Sequence, residues 1–281
     1  MTAAAAGTIS FGGDLPANRF GFGAMRITGE GIWGEPADHQ ESLRVLKRAL
    51  ELGITLIDTA DSYGPDVSER LIAEALFPYP DELVIATKGG LLRPGPGSWT
   101  PDGRPKHLRE ACEGSLRRLR VDEIDVYQLH RPDPKVPFEE SVGALLELKQ
   151  EGKIRHIGLS NVTREQLQQA ERITPIVSVQ NRYNLNDRGS ESVLEECEEE
   201  NLAFIPWAPL QVGEVPKEVE EIAKRHHVST NQVLLAWLLH HSPVMTPIPG
   251  TSKVAHLEDN VAAASLKLEQ SDLEAIDQLT Q

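Results

Sequence analysis

The chain has 281 residues, 40% hydrophobic and 25% charged, a globular composition long enough to bury a large core without staples. A net charge of −15 argues against nucleic acid or an anionic membrane surface as partner, though not against one local basic pocket for an anionic cofactor. Cys112 and Cys197 make no disulfide framework, the Ala-rich stretch after Met1 has no signal character and no apolar run is long enough to cross a membrane, so a cytoplasmic setting is expected.

In chain order, residues 8–20 read as a hairpin turning at Gly12-Gly13. From Phe20 onward short apolar runs alternate with amphipathic ones. The predicted strands are 19–23, 54–57, 83–87, 124–129, 154–159, 176–179, 202–205 and 244–247. Helices are predicted over 38–52, 106–119, 138–151, 165–173, 190–200, 216–227 and 229–241, with a last one over 272–279. Such alternation implies parallel strands joined by helical crossovers, and eight strands at even spacing imply an α/β fold of the closed (β/α)8 kind. No linker or composition shift divides the chain, so residues 1–281 are expected to form one domain. An open doubly wound sheet is the rival. Its Gly-rich turn is poorly matched by Gly21-Phe22-Gly23, which lacks a third glycine and a helix directly behind it.

Chemistry in a barrel gathers at the C-terminal ends of the strands. Asp58, Lys88 and His130 close the second, third and fourth strands, and Tyr63 follows Asp58 within one loop. An isolated Asp and Tyr of this kind usually cap a helix and pack. The lysine and histidine at the next two strand ends change that reading. A buried lysine needs a counter-charge, which Asp58 supplies, and its cation is expected to lower the phenol pKa of Tyr63 and make it a general acid. His130 is placed to hydrogen-bond a carbonyl oxygen. The set suits reduction of a small-molecule carbonyl with the hydride coming from a cofactor. It also leaves open an isomerase or aldolase in which Lys88 forms a Schiff base. The pairs His226-His227 and His240-His241 offer no third ligand at metal spacing, and no metal is expected.

Asp58, Tyr63, Lys88 and His130, in that order, resemble the catalytic tetrad of the aldo-keto reductase family. The likeness continues through Gly158-Leu159-Ser160-Asn161, residues 180–184, Trp207-Ala208-Pro209-Leu210 and residues 248–252, and ends at residues 256–260. It implies a (β/α)8 barrel with an N-terminal hairpin closing the bottom, Tyr63 as acid and NADPH, in preference to NADH, as cofactor. By the same resemblance Ser160, Asn161 and Gln180 hold the nicotinamide carboxamide, and Trp207 stacks on its ring. Ala208, Pro209 and Leu210 line the same path, and Gly23-Ala24-Met25 forms a cofactor-facing turn. Gly250, Ser252, Lys253, His256, Asp259 and Asn260 are expected at the adenosine end. Many members have lysine and arginine where Gly250 and His256 stand, both on the 2′-phosphate; here the free N–H groups of the last barrel helix are expected to help seat it. Two Gly- and Pro-rich loops, 26–37 with Trp33 and 91–105 with Trp99, are expected to wall an open substrate pocket without a long C-terminal tail. A regulatory subunit that binds cofactor is the alternative from another class.

Overall fold

The structure, a computed structural model, describes residues 2–210 and 213–280. A hairpin of β1 (Thr8–Phe11) and β2 (Leu15–Asn18) comes first. The strands β3 (Phe22–Gly23), β4 (Leu56–Asp58) and β5 (Val84–Gly89) follow. A short ribbon of β6 (Leu91–Leu92) and β7 (Thr100–Pro101) rises from the end of β5. Then come β8 (Ile124–Leu129), β9 (Ile154–Ser160), β10 (Ser178–Gln180) and β11 (Ala203–Phe204). Seven of these pair in parallel in the order β3-β4-β5-β8-β9-β10-β11. Helices α1 (His39–Glu51), α2 (Val67–Leu76), α3 (Pro105–Leu119), α4 (Phe138–Gln150), α5 (Arg164–Glu171) and α6 (Glu191–Glu199) lie between them. After β11 come α7 (Lys217–His226), α8 (Thr230–His241), α9 (Val254–Ala262) and α10 (Gln270–Asp277).

Segment 244–247 occupies the eighth position without regular strand pairing. Phe204 donates its N–H to the Val244 carbonyl at 3.0 Å and accepts from Thr246 at 2.8 Å, while Gly21 donates to the Pro247 carbonyl at 3.0 Å. These bonds join β11 to the β3 edge and close the (β/α)8 barrel. Pro247 has no N–H to give, so the ladder on that side is incomplete. The segment predicted as a strand lies where expected but is not a regular strand: its one ladder contact among the described residues is the isolated bridge of Met245 to Phe204.

The strands are buried on both sides, as parallel strands under helices must be. Helix α1 turns an apolar stripe inward, Leu43, Val45, Leu46 and Ala49, and is entered through Asp38, whose side chain caps the N–H of Glu41 at 2.9 Å. Helix α2 is not among the helices named from sequence because Ser68 and Glu69 interrupt its inner face. Glu69 is fully buried, accepting from Arg118 Nε and Thr87 Oγ1, each at 2.6 Å. The hairpin covers the N-terminal ends of the strands. Asn18 bonds Thr55 Oγ1 and the Gly53 carbonyl just ahead of β4, and Asp14 pairs with Arg155 and His156 early in β9. The opposite end of the barrel stays free for chemistry.

Candidate active site

Parallel pairing of β4 with β5 sets Asp58 beside Ala86, so that Lys88, two residues on, faces the same interior side. All three donors of the Lys88 ammonium are used. Nζ lies 2.6 Å from Asp58 Oδ2, 2.7 Å from the Thr59 carbonyl and 3.3 Å from Tyr63 Oη. The other carboxylate oxygen of Asp58 accepts from Gln180 Nε2 at 2.7 Å and Gln128 Nε2 at 3.1 Å. The His130 ring stands edge-on to Tyr63 with centroids 5.8 Å apart, and its Nδ1 is 3.3 Å from Ser62 Oγ. Exposure is 0% for Lys88, 1% for Asp58, 6% for Tyr63 and 7% for His130, so the phenol and imidazole just reach a cleft whose floor is buried.

Burial sets the protonation states here. It pushes the Lys88 ammonium down, but Asp58 and Tyr63 together more than offset it and the lysine ends above its ordinary range. Burial raises the Tyr63 phenol; Lys88 opposes this while the Asp58 carboxylate adds to it, and the net direction is up. The lowered phenol pKa expected from sequence is therefore corrected: desolvation outweighs the neighbouring cation, and the group holds its proton more firmly than a free tyrosine. Burial, then the Lys88 and Arg131 cations, hold His130 well below its ordinary value, so its imidazole is neutral at pH 7.

The cleft above these residues holds about 400 Å³. Of the residues singled out from sequence, Asp58, Tyr63 and His130 face it, with Gly23 and Met25 on one side. Ser160, Asn161 and Gln180 line another side, and Trp207 through Leu210 complete that wall. Gly250 and Trp99 line it as well. Asn161 is locked in place: its amide nitrogen donates to the His130 carbonyl, and its oxygen accepts from Trp207 Nε1, both at 3.0 Å. Gly23 and Gly250 meet backbone to backbone. A Cβ at Gly250 would lie 2.5 Å from the Gly23 carbonyl oxygen, so no larger residue fits there.

Other predicted residues lie elsewhere. Ser252 and Lys253 line a neighbouring cavity of about 350 Å³ that shares Met25 and Arg26 with the cleft. Ala24 is buried beneath, its carbonyl accepting from Ser68. Trp33 does not line the cleft; it bridges to Gly64 and faces Arg93. On α9, Asp259 accepts from Ser229 and Gln232 of the α8 entrance, Asn260 is buried and His256 is exposed. Of the N–H groups expected to be free at that helix start, that of Val254 is taken, donating to Glu41 Oε1 at 3.1 Å. Tyr183 packs: it is fully buried and stacked on Trp237.

Four neighbours of the site were not read from sequence. Gln128 lies two residues before His130, and strand periodicity could have placed both on one face. Ser62 sits inside the tyrosine loop. Arg26 and Arg131 directly follow Met25 and His130, and neither guanidinium has a hydrogen-bond or ion-pair partner among the described residues. Among the described residues no group of three His, Cys, Asp or Glu is arranged to hold a metal ion, and no helix is long and apolar enough to cross a membrane.

A parallel barrel with this constellation at its open end defines a class of oxidoreductase, and comparison with known proteins gives its family. The sequence profile of the Aldo/keto reductase family matches residues 19–281, and the chain belongs to that family. An uncharacterized oxidoreductase of Schizosaccharomyces pombe is 52% identical over 281 residues, covering 99% of this chain and 91% of its own. Pyridoxine 4-dehydrogenase of Escherichia coli is 41% identical over 274 residues, covering 94% and 96%. Among solved structures, an aldo-keto reductase from Klebsiella pneumoniae in complex with NADPH superposes with a TM-score of 0.81 at 27% identity, covering 97% of this chain and 94% of that one.

Proposed function

We propose that this aldo-keto reductase reduces aldehydes or ketones to alcohols with NADPH, Tyr63 delivering the proton. The observation that carries the reading is the Lys88 ammonium, held by Asp58 and the Thr59 carbonyl and within 3.3 Å of the phenol at the cleft floor. Burial keeps Tyr63 protonated before reaction. As the proton leaves Oη, the forming phenolate meets Lys88, and Asp58 keeps that lysine charged. Neutral His130, held near Ser62, orients the substrate oxygen beside the phenol.

The donor set fits a nicotinamide dinucleotide. Ser160, Asn161 and Gln180 supply a hydroxyl and two amides at one side of the cleft, and Trp207 supplies an aromatic wall. Arg26 and Lys253 supply cations where the cleft meets the second cavity, in a protein that is otherwise acidic. With Gly250, Ser252 and exposed His256 they are assigned to the phosphate and adenosine end, with Asp259 and Asn260 fixing α9 behind them. When bound, NADPH supplies the hydride. The Klebsiella neighbour solved with NADPH supports this cofactor. The Escherichia coli relative places pyridoxal, the aldehyde of pyridoxine, first among test substrates.

The test is NADPH oxidation with pyridoxal, benzaldehyde and short-chain aldehydes, wild type beside Tyr63→Phe. Loss of a general acid predicts a fall in kcat of roughly 10²–10⁴ with NADPH affinity kept. Equal rates in the two proteins would remove Tyr63 from the chemistry.

A further inference from the structure

Loop 30–34 contains an unusual backbone. Gly31 has φ 66° and Ile32 has φ 58°, the left-handed region where a β-branched residue is rarely found. Both carbonyls that this turn presents are taken by one side chain. Arg93 donates from Nη1 to the Ile32 carbonyl at 2.7 Å and from Nη2 to the Gly31 carbonyl at 3.3 Å. The same guanidinium reaches the Ser62 carbonyl, one residue before Tyr63, at 3.2 Å and the Ser98 carbonyl at 3.1 Å. It lies 3.7 Å from the centroid of the Trp99 ring and 5.4 Å from that of Trp33. Among the described residues no carboxylate pairs with it; four backbone carbonyls and two indoles accept its charge.

We infer that Arg93 is a specificity-setting positioning residue: by clipping the 30–34 loop, the Tyr63 loop and the β6–β7 ribbon together, it fixes Trp99 as the wall against which a planar aromatic carbonyl substrate lies. Arg93 does not itself line the cleft, whereas Trp99 does, so it acts through the indole. Little else holds that indole. The ribbon is two residues long on each strand, Pro101 has no N–H, and the tip between the strands carries Pro94, Gly95, Pro96 and Gly97. Trp33 contributes from behind the clip. It pairs with Gly64, and Gly34 donates to the Gly64 carbonyl at 2.5 Å, so the clip is anchored to the loop that carries the proton donor.

The inference rests on the reductase reading for its kinetic test and is independent of it for a second. With the full chain and NADPH, Arg93→Met keeps the stem but removes charge and donors; Arg93→Lys keeps the charge without the fork. The KM for benzaldehyde is expected to rise roughly tenfold in Arg93→Met, with kcat changing by less than about threefold, and Arg93→Lys is expected to recover part of the loss. The KM for propanal and the Kd for NADPH are expected to stay within about twofold in both variants, since neither depends on stacking at Trp99. Parallel loss for both aldehydes, or no change for either, overturns the inference. Amide hydrogen exchange provides the independent measurement: residues 28–34 and 91–101 are expected to exchange about tenfold faster in Arg93→Met, with 84–89 unchanged. If wild type turns over no aldehyde yet exchange responds in this way, the reductase reading fails and the clip stands. Unchanged exchange removes the clip.

Discussion

The cleft has a floor and a wall, and each depends on one cation. Lys88 is completely buried, and its partners belong to β4 or to the loop directly after it. Arg93 is half-buried, and its partners are carbonyls and indoles of loops far apart in sequence. Ladder hydrogen bonds fix the first arrangement before any side chain is placed. The second exists only while its central side chain holds the loops together. A barrel built this way can change which substrate it admits by altering loops, while the groups proposed to move the proton stay where they are.

The largest effect should come from the floor. Lys88→Met leaves the Asp58 carboxylate buried without its cation, and a loss of about 3–5 kcal/mol in unfolding free energy is expected together with loss of turnover. Denaturant melts of the variant check this; a change under about 1 kcal/mol would show that the floor is no more rigid than the wall. Next comes the pH profile of reduction. In the proposed mechanism the reactive form is protonated Tyr63, and burial raises its pKa, so the protonated fraction stays near one through neutral pH. kcat/KM is therefore expected to be flat there and to fall only on the alkaline side, beyond the ordinary phenol value of about 10. His130, pushed down, adds no inflection near its ordinary value of about 6.5. A limb centred near pH 7 would show that desolvation is not the governing influence. The smallest effect belongs to the wall. Trp99→Ala should raise the KM for aromatic aldehydes roughly 3- to 10-fold, leaving stability and small aldehydes nearly unaffected. Equal responses of large and small aldehydes would place Trp99 outside the substrate path.

What could be read from the chain alone follows the same division. Strand ends recur at regular spacing, so Asp58, Lys88 and His130 could be aligned from apolar runs alone, and even the proline-thinned segment 244–247 was visible. Residues near the cleft that depend on long-range placement were not. Nothing near Arg93 in sequence points to Ile32, which is 61 positions away. The ribbon β6–β7 is hidden in a stretch whose prolines and glycines read as loop. Trp33 was legible as a loop aromatic but not as the one turned from the cleft. Direction of the Tyr63 shift was misread for a related reason: a neighbouring cation can be inferred from order along the chain, whereas the extent of burial requires the packed barrel.

The closure at residues 244–247 bears on how the chain is made. The β3 edge finds one of its two neighbours only when residues near 247, more than 220 positions further along the chain, have been made. Until then the sheet is an open curl with β3 and β11 both unpaired on one side, the state in which exposed strand edges recruit other chains. Completion of the barrel thus waits on residues 244–247. A truncation before residue 244 should yield an aggregating chain, even though Asp58, Tyr63, Lys88 and His130 would all be present in it.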